Sequence, residues 1–218
     1  MLQKKILFSI EESLEAASQL KTPSSLTFIE SVAELLAQTF RAGGKVLIAG
    51  NGGSLCDANH FAEELTGFFR SYRAALPAIA LSEPGHITCV GNDLGYEWIF
   101  SRGIEAYGKP KDVFIGLTTS GNSQNIIRAF EIAKQRQLST VAFLGKNGGK
   151  LKGFADLELH IEGFRTSDRI QEAHMTAMHI IIEAMEQLLF PEGQNEPKNF
   201  QLENKPCHTN LENNASYT

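Results

Sequence analysis

Cysteine is scarce in this chain: Cys56, Cys89 and Cys207 are the three present, with no CxxC spacing, and an odd number cannot all pair. That pattern excludes a disulfide framework or a thiolate zinc knuckle and reads as reduced thiols in a cytoplasmic protein. Positive charge is also limited. Lys and Arg total 20 against 25 Asp and Glu, a net charge of -5 with no Lys/Arg cluster, so no basic face for nucleic acid is present. Long apolar runs are missing as well. The run from Ile6 to Ile10 is broken at once by Glu11 and Glu12, which gives neither a secretory signal nor a membrane span.

What the chain does have is glycine next to hydroxyls, twice. Gly50-Asn51-Gly52-Gly53-Ser54 and Thr118-Thr119-Ser120-Gly121-Asn122-Ser123 each follow an apolar run and open a helix-like stretch. Glycines admit close backbone approach, hydroxyls donate, and a helix N-terminus adds unpaired N–H groups with positive potential. Two such loops point to a phosphorylated small molecule. The same Ser and Thr residues also suit plain helix capping.

Strand candidates lie at Lys45–Ala49, Ala78–Leu81, Val113–Leu117, Thr140–Leu144 and Leu157–Ile161, most of them near-continuous apolar runs, as expected for strands buried on both faces of a parallel sheet. Helical periodicity spans Met1–Gln19, Ser24 or Ser25 to Arg41, Leu55–Phe69, Glu97–Tyr107, Asn122–Arg136 and Ser167–Leu189. The alternation predicts an α/β fold, a three-layer αβα sandwich on a five-stranded parallel sheet, preceded by two N-terminal helices. Residues 1–190 form one domain in this reading. From Pro191 to Thr218 the composition turns to Asn, Glu, Pro and Gln, which predicts a disordered tail. Gly148-Gly149 reads as a turn.

His60 and Glu64 are four apart, on one face of the helix that begins at the first loop. The spacing suits a metal clamp, a base with its orienting partner, or an ordinary helix-face hydrogen bond; Glu63 falls toward solvent. Asp168, Gln171, His174 and His179 sit in the last helix among Ile and Met residues, where histidine is commonly a satisfied core residue. Gln171 and His179 are separated by about 12 Å of rise and about 80° of rotation, so one ion reaches both only through converging side chains or two subunits. Asn92-Asp93 offers a sugar-hydroxyl acceptor, an acid/base or a turn.

Together, GNGGSLCDANHFAEELTG (50–67), CVGNDLGYEWIFSR (89–102), TTSGNSQN (118–125), GKNGGKL (145–151) and DRIQEAHMTAMHIIIEAME (168–186) resemble the sugar isomerase (SIS) domain family, and within it the phosphoheptose isomerases. The resemblance implies a cytoplasmic aldose–ketose isomerase of lipopolysaccharide heptose synthesis, acting on sedoheptulose 7-phosphate. It implies one Zn²⁺ per subunit on His60, Glu64, Gln171 and His179, with Glu64 and His179 as the acid/base pair. It places Asn51, Gly52, Gly53, Ser54, Glu64, Asn92, Asp93, Thr118, Thr119, Ser120, Ser123, Asp168 and Gln171 around the substrate. A homotetramer with sites between subunits is also implied. The family alternatives are a non-catalytic sugar-phosphate-binding or replication-initiator-associating protein, or an isomerase of another ketose phosphate. Two positions depart from the family pattern: Phe68 stands where arginine is common, with Arg70 two residues on, and Leu55 stands where a polar residue is frequent.

Overall fold

The computed structural model describes residues 1–191; the tail from 192 on, with Cys207, lies outside them. Five parallel strands, β1 (Val46–Gly50), β2 (Ala78–Ala80), β3 (Val113–Thr118), β4 (Ser139–Gly145) and β5 (Leu157–Ile161), form one sheet in the order β2-β1-β3-β4-β5. Leu47 lies opposite both Ile79 and Phe114 in this register. Side chains alternate faces along a strand. Val46 and Ile48 therefore join one core while Leu47 and Ala49 join the other.

Helices cover both faces. Helix α2 (Pro23–Arg41), α3 (Gly53–Thr66) and α7 (Ser167–Leu189) pack on one side through Phe28, Leu36, Phe61, Leu65, Ile170 and Met178. The other side carries α5 (Ile99–Tyr107) and α6 (Gln124–Gln135), joined by α4 (Pro84–Asp93) through Ile87 and Val90. Helix α1 (Leu2–Ser18) packs on the first side but leaves Leu2, Ile6, Leu7, Phe8, Ile10 and Leu14 exposed. No helix of the described residues is long and apolar enough to cross a membrane.

Several boundaries differ from the sequence reading for identifiable reasons. Helix α2 begins at Pro23 because Thr22 caps it, its hydroxyl accepting from the Ser25 amide at 3.3 Å. Helix α4 was not anticipated; Gly85 and Gly91 blur its periodicity, and its cap is an atypical Glu83, whose carboxylate accepts from the amides of Gly85 and His86. Those bonds hold the Glu83 carboxyl below its usual range. Helix α3 stops at Thr66, short of the predicted Phe69, with Gly67 as its cap. After α1, the Gln19 side chain donates to the Glu162 carbonyl at 2.8 Å and accepts from its amide at 2.9 Å, at the free edge beside β5.

Candidate active site

The two glycine/hydroxyl loops leave the carboxyl ends of adjacent strands, β1 and β3, and diverge. The first enters α3 on one face, the second enters α6 on the other. That divergence is the switch point where open α/β sheets hold ligands. Close approach explains the glycines: a Cβ on Gly53 would lie 2.8 Å from the side-chain amide of Gln171. Gly121 adopts φ +64°, and a Cβ there would lie 1.8 Å from the Gly148 carbonyl. The Gly148-Gly149 turn, with Gly148 left-handed, thus braces the second loop; Leu151 donates to the Gly121 carbonyl at 3.2 Å.

The hydroxyls have tasks other than capping. Neither α3 nor α6 has a side-chain cap hydrogen bond, although Ser123 occupies the α6 cap position. Ser54, buried, accepts from Gln171 Nε2 at 3.2 Å. Ser123 Oγ lies 3.3 Å from Thr118 Oγ1, Thr119 Oγ1 lies 3.0 Å from Ser167 Oγ, and Ser120 Oγ accepts from the Asn122 amide at 3.2 Å. A row of hydroxyls therefore rings the crevice.

Helices α3 and α7 pack with their starts together, Ser54 against Gln171, and one to three turns farther on three donors converge. Ligand atoms of His60, Glu64 and His179 all lie within 4.8 Å of one another. His60 Nε2 is 3.3 Å from Glu64 Oε1, and the two imidazole rings are 5.0 Å apart, edge to face. Phe69 stacks on the other side of His179 at 5.5 Å. His179 Nε2 is buried with no hydrogen-bond partner. Burial first, then the neighbouring charges of His60 and Arg70, push the His179 imidazole below its usual pKa, against the pull of Glu64. Two imidazole nitrogens and a carboxylate oxygen are a donor set that suits Zn²⁺ with a coordination position left open, and the orphaned His179 nitrogen fits a ligand role. Side-chain exposure is 43% at His60 and 17% at Glu64, so this cluster opens outward rather than lying in a closed cavity.

The other sequence candidates are placed separately. Gln171 donates from Nε2 to Ser54 Oγ. Asp93 ends α4, where it accepts from Asn92 Nδ2 at 2.8 Å and Cys89 Sγ at 3.5 Å. Asp168 opens α7 beside Arg169; a hydrogen bond from Thr166 is the main reason its carboxyl sits below the usual range. Glu63 is solvent-facing, as expected. Arg70 lies beyond the end of α3 at Thr66, so it is not carried on that helix. Arg70 instead pairs with Glu183 of α7 and lies over the Phe69 ring at 5.2 Å, while Phe68 is exposed.

A SIS domain model matches residues 10–145, and the chain is 61% identical over 164 residues to phosphoheptose isomerase of Fusobacterium nucleatum, covering 75% of this chain and 84% of that one. The chain belongs to the SIS domain family, among the phosphoheptose isomerases. Another such relative, from Vibrio cholerae, is 48% identical over 187 residues, 85% of this chain and 98% of its own. Two solved phosphoheptose isomerases share the fold of this SIS protein. The Neisseria gonorrhoeae structure has TM-score 0.79 and 34% identity, covering 86% of this chain and all of that one. The Francisella tularensis structure has TM-score 0.80 and 32% identity, covering 86% and 99%. This SIS domain is an isomerase.

Sequence reasoning passed over three residues beside the site. Arg73, with only 6% exposure, donates to the carbonyls of Glu64, Leu65, Gly67 and Ala74 and so caps the C-terminus of α3. A lone arginine between Tyr72 and Ala74 gives no pattern to read. Asn125 and Tyr96 bond to Asn51 of the first loop. The only signal for Asn125 was a polar residue directly before the apolar Ile126-Ile127.

Proposed function

We propose that this isomerase converts sedoheptulose 7-phosphate to D-glycero-D-manno-heptose 7-phosphate, the first step toward the heptose of lipopolysaccharide. The observation that carries the reading is the convergence of His60, Glu64 and His179 beside two hydroxyl-rich loops, in a chain so similar to phosphoheptose isomerases. The chemistry moves a carbonyl from C2 to C1: a proton leaves C1, an enediolate forms, and a proton arrives at C2.

Each residue then has a task. Ser54, Thr118, Thr119, Ser120 and Ser123, with the backbone of Gly52 and Gly53, hold the phosphate and the chain next to it, which turns remote binding energy into orientation at C1 and C2. Glu64 carries the proton from C1 to C2. His179, whose pKa burial lowers, moves the proton between O1 and O2. Asn51, Asn92, Asp93, Asp168 and Gln171 contact sugar hydroxyls. His60, Glu64 and His179, with Gln171 as fourth donor, are the residues to hold Zn²⁺, one per subunit. A divalent cation there supplies Lewis-acid stabilisation of enediolate charge.

The reading includes a cytoplasmic homotetramer with sites between subunits. Support comes from the apolar side chains that α1 leaves exposed and from the outward-facing triad. The test is turnover of sedoheptulose 7-phosphate by metal-stripped protein before and after zinc is added. Zinc-dependent aldoheptose phosphate is the expected product. Absence of turnover in both states, with the sugar phosphate still bound, would replace the reading with a binding protein or an isomerase of another ketose phosphate.

A further inference from the structure

Asn51 and Asn125 face each other as a reciprocal amide pair across the crevice. Asn51 Nδ2 donates to Asn125 Oδ1 at 2.9 Å, and Asn125 Nδ2 donates back to Asn51 Oδ1 at 2.8 Å. Tyr96 adds a third bond, its hydroxyl donating to Asn51 Oδ1 at 2.9 Å. Asn125 is 2% exposed, and its Oδ1 also accepts from the Ile126 amide at 2.9 Å, so this amide cannot flip without loss. The inventory for Asn51 is then closed on one side: both acceptor positions of Oδ1 are filled, and one of two Nδ2 hydrogens is used. One amide hydrogen is left for a ligand.

The pair ties three segments together: the first loop, the start of α6 after the second loop, and the short helical turn Tyr96–Trp98. That turn is held from its other end by Trp98, which stacks under the Arg128 guanidinium at 4.0 Å. Between the two anchors lies a cavity of about 390 Å³, lined by Asn51, Tyr96, Glu97, Ser123, Asn125 and Arg128.

We infer that Asn125 and Tyr96 are positioning residues that fix the Asn51 amide so that its remaining N–H meets an oxygen of the sugar phosphate. This rests on the function proposed above. Neither residue touches the reacting atoms; both act through Asn51. An interaction of this kind holds substrate and transition state alike, so its loss appears in KM with kcat retained.

The experiment measures kcat, KM and thermal unfolding for the zinc-loaded protein with sedoheptulose 7-phosphate. Tyr96→Phe removes one hydroxyl from an exposed side chain. It is expected to raise KM about fivefold, the size of one net hydrogen bond, with kcat within about twofold and Tm unchanged. Asn125→Asp sets a carboxylate oxygen against Asn51 Oδ1 and is expected to raise KM further. In an Asn51→Ala background, Tyr96→Phe is expected to have no further effect, since the group it orients is gone. Unchanged KM in Tyr96→Phe, or effects of Tyr96→Phe and Asn51→Ala that simply add, overturn the inference while leaving the isomerase reading intact. A wild-type protein without turnover removes both.

Discussion

Arg73 Nε lies 2.6 Å from Glu186 Oε1, joining the segment after α3 to the last turns of α7. The same guanidinium is the C-terminal cap of α3 and donates to the backbone carbonyl of Glu64 at 2.7 Å. One side chain therefore links the two helices that carry the triad. Arg73→Leu leaves a half-buried carboxylate and several carbonyls unpaired. Unfolding free energy should fall by about 3 kcal/mol, as for other buried pairs broken on one side. Denaturant titration of the variant checks this, and a loss below about 1 kcal/mol would refute it.

Glu64→Gln keeps the shape of the side chain and abolishes its proton transfer. Turnover should drop by about 10³ while sugar phosphate binding persists. Steady-state rates beside calorimetric titration separate the two effects; activity above a tenth of wild type would remove Glu64 from the base role.

Gly53→Ala tests the contact between the first loop and α7. The new Cβ meets the end of the Gln171 side chain, which can swing aside, so the fold should survive. The Gln171–Ser54 bond should not. A turnover loss of about tenfold or more with nearly unchanged Tm is expected from displacing groups that position substrate. Wild-type rates in this variant would mean that the Gln171–Ser54 contact is dispensable.

His174 gives the protein an acid-sensitive core. It is fully buried, its Nε2 lies 3.0 Å from the Leu144 carbonyl oxygen, and burial lowers its pKa from 6.5 to about 4. The native state thus binds fewer protons than the unfolded chain between those values. This contribution is complete above pH 6.5 and is lost as pH falls toward 4, a total of about 3 kcal/mol. Unfolding free energies at pH 7 and pH 4.5 for wild type and His174→Gln measure it: the variant should lose less on acidification. Equal losses would show that His174 is not the titrating group.

The sheet was legible because β1 and β3 are continuous apolar runs buried along their length and β4 is nearly so, while the edge strand β5 shows instead the alternation of Leu157, Leu159 and Ile161 with Glu158 and His160. The Gly53-Ser54 and Gly121-Ser123 loops were legible because glycine beside hydroxyls is conspicuous at a strand end. His60 and Glu64 could be paired from helical spacing alone, but no spacing rule brings His179 to them; that follows from α3 and α7 packing start to start. Helix α4 was hidden because glutamate is an atypical cap. Asn125 and Tyr96 were hidden because their partner Asn51 lies on another segment, and Arg73 because it bonds mainly to backbone carbonyls, which the sequence does not mark.

Gln19 has a consequence for how copies of this chain can meet. An open sheet ends in a row of unspent amides and carbonyls, a template on which a foreign strand can grow. At Glu162 both backbone groups are already engaged by one glutamine side chain that imitates a neighbouring strand. Extension of the sheet past β5 must first displace that mimic, so adding a strand at this edge costs both of its hydrogen bonds.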